Sequence, residues 1–206
     1  MEILNHIISD KILFEQQLLT YFKNKKNIVF LNSNDNEKTN LFAVSDSDEQ
    51  NENDWQFGFI SYDYKNKIEE LTSINFDGIQ FPEKHFFTPE ILFKIKENEI
   101  EIFYQTTIYT AQDVDEILTK IKSISILQQE VERIKVLPRV SKEDYLDNVN
   151  RLKQHIQLGD IYEVNYCQEY FADPDSYRDV EISPIDIYIK LNQKSPTPFS
   201  CFVKCD

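Results

Sequence analysis

Glycine is scarce in this chain of 206 residues, occurring only at positions 58, 78 and 159. Loops that cradle phosphate group several glycines so that backbone N–H donors can close on the anion, and that mode of binding is excluded. Cysteine is as rare, with Cys167, Cys201 and Cys205 only, and an odd number in a chain this long is not the disulfide framework of a small secreted domain. Cys201 and Cys205 lack a second close pair and a nearby histidine, so the three are expected as buried structural thiols. His6, His85 and His155 have no metal-ligand spacing, and His155 is expected to face solvent beside the apolar stripe of its helix. No apolar run approaches the roughly 20 residues that span a bilayer, and Met1 to Asp10 lacks the basic-then-apolar order of a secretory signal, which reads as cytoplasmic. Positive charge is in the minority, with 22 Lys and Arg against 36 Asp and Glu, for a net charge of −14. That field repels phosphate backbones and anionic lipid, so neither nucleic acid nor membrane is an expected partner. An anionic substrate would need local cationic or metal charge to offset it.

What is present is ample apolar material, 41% of residues with 13% aromatic, enough for a sizeable core. From Ser9, residues Leu13, Phe14, Leu18, Tyr21 and Phe22 recur at helical spacing, and Lys23, Lys25 and Lys26 suit the carboxyl end of that helix. Short buried strands are expected over 27–31 and 41–44, a solvated acidic loop over 45–54, and a strand over 55–64 whose Gly58 marks a close backbone approach. Residues 90–95 and 99–109 read as a hairpin about Glu97-Asn98, and 112–124 as an amphipathic helix. Ser141 and Asp144 open a second helix whose stripe of Tyr145, Val149, Leu152 and Ile156 runs to Gly159. A strand over 161–171 follows, then a helix from Ser183-Pro184 to Leu191 and an apolar strand over 199–203, which leaves an unpaired edge and suggests that the fold needs further sequence.

Gly159-Asp160-Ile161-Tyr162-Glu163-Val164-Asn165-Tyr166-Cys167-Gln168, directly after a capped helix, resembles the helix-to-strand signature of chorismate-utilising enzymes, particularly component I of aminodeoxychorismate synthase and of anthranilate synthase. Three further segments support the resemblance in order: Phe30-Leu31-Asn32-Ser33, with Asn32 in place of glutamate; Gly58 to Tyr64; and Ser195-Pro196-Thr197-Pro198-Phe199-Ser200. The resemblance implies an α+β fold of antiparallel sheets flanked by helices, the first half of that family's layered sandwich. It divides the chain into an amino-terminal region, 1–137, and the start of a chorismate-binding region, 138–206. The implied function is amination of chorismate with ammonia to 4-amino-4-deoxychorismate on the folate route, with anthranilate synthesis or a non-catalytic module binding an aromatic amino acid as alternatives.

The resemblance also assigns residues. Relatives that add water to chorismate carry lysine at the position matching Glu163, and those that add ammonia usually carry glutamine; a carboxylate there can accept hydrogen bonds from ammonia or take up its proton. Glu163 is therefore the expected catalytic residue of this chain, with pairing to a cation as its alternative role, and isochorismate synthesis is disfavoured. Leu31, Ser33, Phe42, Pro198, Phe199 and Ser200 are the expected tryptophan-like effector pocket, although Phe42 and Phe199 also suit a simple core. Magnesium belongs to the complete enzyme, held by glutamates not found in this chain, and no metal is expected here. The implied partner is a glutamine amidotransferase subunit or domain that supplies the ammonia.

Overall fold

Alternation of apolar side chains decides the architecture, because a strand with two apolar faces must find a covering layer on each. The computed structural model describes residues 1–35, 37–74, 76–126, 135–172 and 183–205. In chain order its strands are Glu2–Ile7 (β1), Asn27–Asn32 (β2), Asn40–Ser45 (β3), Phe57–Ile60 (β4), Lys84–Phe87 (β5), Ile91–Lys96 (β6), Glu99–Tyr104 (β7), Val136–Pro138 (β8), Tyr170–Ala172 (β9) and Ser200–Cys205 (β10). Its α-helices are Lys11–Tyr21 (α1), Lys65–Ile68 (α2), Ala111–Lys122 (α3), Lys142–Leu158 (α4) and Pro184–Lys194 (α5). The fold is α+β, and every described strand pair is antiparallel.

The first unit, Met1–Gln128 with Pro184–Asp206, is built on a six-stranded sheet in the order β1-β7-β6-β3-β2-β10. Ile28, Phe30, Phe42, Val44, Ile91, Phe93, Ile95, Ile100 and Ile102 share one core with Phe14 and Leu18 of α1, Val114, Leu118 and Ile121 of α3, and Ile185 of α5. The intervening positions Val29, Ala43 and Leu92 form a second cluster with Phe57 of β4 and Phe87 of β5. Burying one such side chain contributes roughly 1.5–3 kcal/mol, so the helical face dominates the stability of this unit.

Local signals set the helix ends. Asp10 caps α1 by accepting from Leu13 N at 3.0 Å, and Thr110 and Asp113 close a reciprocal capping box on α3. The basic cluster after α1 does not serve its carboxyl end as expected. Lys25 instead pairs with Asp46 at 2.5 Å and Glu90 at 2.9 Å, and Lys26 pairs with Asp48. The strand expected over 55–64 is shorter, because β4 gives way to a 3-10 turn at Tyr62–Tyr64. The close approach expected at Gly58 is present: a Cβ there would lie 1.9 Å from the His85 carbonyl oxygen of β5. The cysteines differ from expectation, with Cys167 and Cys201 exposed and Cys205 half-buried. Cys201 lies on β10 at the sheet edge, where among the described residues only β2 flanks it.

The second unit, Gln129–Ser183, contains α4 and the β8–β9 pair. Ser141 accepts from Asp144 N at 3.1 Å at the start of α4. At its end Gly159 takes the left-handed conformation, φ 81°, with Gly159 N donating to Ile156 O and Asp160 N to His155 O, the paired bonds of a Schellman stop.

Candidate functional site

Helix α1 turns Lys11, Glu15 and Leu18 onto one face at spacings of four and three, so two charged residues are carried inward with the core. Lys11 and Glu15 are each 7% exposed, a burial that charged side chains accept only with partners. Lys11 Nζ donates to the carbonyls of Asp35, at 3.1 Å, and Lys38, at 3.2 Å, which pins the turn between β2 and β3 onto α1. Glu15 accepts one bond from Asn40 Nδ2 at 2.7 Å. Burial raises its carboxyl to about 7, against smaller opposing contributions from the Asn40 bond and the Lys11 charge.

Asn40 extends this contact into a chain of polar groups. Its Nδ2 also donates to Asn32 Oδ1 at 3.0 Å, and Asn32 Nδ2 faces the Tyr188 hydroxyl of α5 at 3.5 Å. Ser200 Oγ of β10 donates to the same hydroxyl at 3.2 Å. Asn34 and Asn192 exchange amide bonds at 2.9 and 2.8 Å, tying the turn to α5. Between α1, this turn and α5 lies a cavity of about 240 Å³, with Glu15, Asn32 and Asn40 among its polar lining and Leu19, Phe30 and Ile189 among its apolar lining. Polar groups converging in a mainly apolar pocket are the usual form of a small-molecule site.

Only part of the expected pocket meets here. Ser33 joins the network through its N–H and hydroxyl, both on Asn40 Oδ1 at 2.8 Å, and Ser200 joins through Tyr188. Phe42 is fully buried in the helix-side core. Leu31 is 41% exposed and falls on the opposite face of the sheet from Phe30 and Phe42, so Leu31 and Phe42 cannot line one pocket. Pro198 is exposed and Phe199 is 93% exposed. Lys11, Glu15, Asn40 and Tyr188 were not singled out in the sequence. The available signal was a lysine and a glutamate among the inward positions of α1.

Glu163 lies in the second unit and is exposed. The strand expected over 161–171 is realised only as β9, at 170–172. Residues 161–169 form no ladder among the described residues; instead side chains anchor the segment. Tyr166 stacks on Tyr145 of α4 with ring centroids 5.0 Å apart and its hydroxyl accepts from Asn148 at 2.9 Å, while Gln168 donates to Val140 O at 2.8 Å. Arg139 N donates to Glu169 O at 2.8 Å, and the Arg139 guanidinium pairs with the Glu169 carboxylate, lowering that carboxyl's pKa. Cys167, next to Tyr166, is exposed, so alternation survives where the ladder does not.

Among the described residues, no three His, Cys, Asp or Glu side chains gather to hold a metal ion. These described residues do not make up a magnesium site. No helix among the described residues is long and apolar enough to cross a membrane.

The chain is similar to anthranilate synthase component 1 of Acetivibrio thermocellus, 27% identical over 167 residues that cover 71% of this chain and 33% of the relative. It is similar also to aminodeoxychorismate synthase component 1 of Bacillus subtilis, 21% identical over 158 residues that cover 71% of this chain and 32% of the relative. Its fold matches the crystal structure of anthranilate synthase component I from Streptococcus pneumoniae, with a TM-score of 0.53 at 16% identity over 95% of this chain and 46% of that one. The chain thus spans about a third of these curated relatives and about half of the solved structure. The family model for chorismate binding enzymes matches residues 9–206, which include both the Glu15 cavity and the Glu163 segment, and the chain belongs to that family.

Proposed function

We propose that this chain is part of component I of a chorismate-aminating synthase. The observation that carries this reading is the chorismate binding family match across residues 9–206. In the proposed reaction a C–N bond forms between ammonia and the chorismate ring, the ring C–O bond to the hydroxyl breaks, and water leaves, giving 4-amino-4-deoxychorismate. Ammonia comes from a glutamine amidotransferase subunit or domain. Glu163 stands on the nucleophile side, accepting hydrogen bonds from ammonia and taking its surplus proton after attack.

The test is product analysis with chorismate and ammonium chloride on the enzyme that contains this chain. Glu163→Gln is expected to retain amination with a flattened pH profile, and Glu163→Lys to divert turnover from ammonia to water. Glu163→Ala with unchanged kcat and pH profile would remove Glu163 from the mechanism. A second product, anthranilate, is favoured by the similarity to anthranilate synthase component 1 at 27% identity. Release of pyruvate together with the aminated product would establish it.

A further inference from the structure

Strand β1 closes one side of the six-stranded sheet, and among the described residues it pairs only with β7. Ile8 N donates to Asn98 O at 2.8 Å, one step beyond the Ile7↔Glu99 pair. Bonded pairs alternate along an antiparallel ladder, so His6, Leu4 and Glu2 also bond towards β7, whereas Ile3, Asn5 and Ile7 turn their N–H and C=O groups away from the sheet. The Ile7 carbonyl accordingly accepts from Lys122 Nζ of α3, at 3.2 Å. Side chains of these outward residues lie on the face opposite Leu4, which packs on the helix-side core. Ile3 and Ile7 are 50% and 74% exposed. None of Ile3, Asn5 and Ile7 carries a charge, the common device that keeps a sheet edge from pairing.

We propose that β1 pairs with β1 of a second copy of this chain, antiparallel about a two-fold axis through Asn5. Outward groups must meet outward groups, and centring on Asn5 is the register that uses Ile3, Asn5 and Ile7 of both copies. It sets Ile3 of each copy against Ile7 of the other, an apolar contact of the kind that stabilises adjoining strands. On the helix side it brings unlike charges together. Ile7 O accepts from Ile3 N of the second copy, which frees Lys122 to meet the carboxylate of Glu2, the neighbouring residue of that copy. Glu2 has an oxygen for this, since the Tyr104 hydroxyl occupies only Oε2, at 2.8 Å.

This local match works against the repulsion between two copies that each carry a net charge of −14. At physiological salt that repulsion is screened within about 8 Å. A pairing confined to one strand of six residues falls at the small end of protein interfaces, so association on the order of 100 μM is expected. The inference is independent of the proposed amination.

The test is sedimentation velocity on the full 206-residue chain in about 0.15 M salt, from roughly 5 to 500 μM, where a monomer–dimer equilibrium is expected. Asn5→Pro removes an outward N–H from each copy and leaves the bonds to β7 in place; it should weaken the dimer about tenfold without lowering the melting temperature. Ile3→Lys, at an exposed position, should do the same and decides the question should Asn5→Pro fail to fold. Lys122→Glu should weaken association, and adding Glu2→Lys should recover it. Cross-linking reads the register in a chain carrying Cys167→Ser, Cys201→Ser and Cys205→Ser. There Asn5→Cys sets two thiols across a pair whose Cα atoms are about 5.5 Å apart and should give a disulfide-linked dimer on mild oxidation. Ile3→Cys, whose two copies would lie roughly 13 Å apart, should not. A chain that stays monomeric to about 500 μM, a dimer undiminished in Asn5→Pro or Ile3→Lys, or Ile3→Cys cross-linking as readily as Asn5→Cys would each overturn the proposal.

Discussion

Replacing Glu15 with glutamine should stabilise the first unit in mild alkali and leave it unchanged in acid. The reasoning starts from a carboxyl raised by burial from 4.5 to about 7 in the folded chain. Folding then favours the protonated form, so the contribution to stability is complete below pH 4.5 and is lost as pH rises to about 7. At about 1.4 kcal/mol per pH unit, the wild type loses about 3 kcal/mol over that window through this one group. Glutamine keeps a carbonyl oxygen for Asn40 Nδ2 and carries no charge at any pH. Urea unfolding followed through Trp55, the single tryptophan and a residue of the first unit, measures both proteins at pH 4.5 and pH 8. The variant should match the wild type within about 1 kcal/mol at the lower pH and exceed it by up to about 3 kcal/mol at the higher. The carboxyls held low by ion pairs or caps, Asp46, Asp48, Asp113 and Glu169, change state below the window. A difference between variant and wild type that does not grow with pH would refute the argument.

Gly58→Ala should disrupt the β4–β5 pair, since its Cβ would lie 1.9 Å from a backbone oxygen, whereas Gly159→Ala meets nothing within 4 Å and should cost only the roughly 1–2 kcal/mol of a left-handed residue. Thermal melts that rank Gly159→Ala as the more damaging would contradict this order. Lys25→Met removes the cationic partner of Glu90, whose side chain is only 10% exposed and keeps bonds from Asp46 N and the Tyr109 hydroxyl, and should cost about 1–3 kcal/mol in denaturant unfolding. The double variant Lys25→Met with Glu90→Gln should recover part of that loss, and an additive result would argue against coupling between them.

Much of the fold was legible where one residue type has one local consequence. Ser141 and Gly159 bound α4 because a hydroxyl accepts from an orphan N–H and glycine alone takes the left-handed stop without cost. The strands at 27–31 and 41–44 were legible because both of their faces are buried. Strand β1 was missed, since Glu2, Asn5 and His6 dilute its apolar pattern and its pairing with β7 is supplied from a distant part of the sequence. The segment 161–171 was read as a longer strand because alternation records which side chains turn inward, not whether a neighbour is there to complete the ladder. The cavity was hidden for a related reason. Lys11 and Glu15 are ordinary helix residues until the turn from Asn32 to Asn40 and Tyr188 of α5 close over them.

The pairing of β10 with β2 has a consequence during synthesis. The sheet accepts its sixth strand only after the entire second unit has been made, so a nascent chain carries β2 with one row of backbone donors and acceptors unanswered. Such an exposed margin invites pairing with other chains, and the long sequence separation slows the closure that would mask it. A ribosome that stalls within the second unit would therefore leave a species more prone to aggregate than the finished chain.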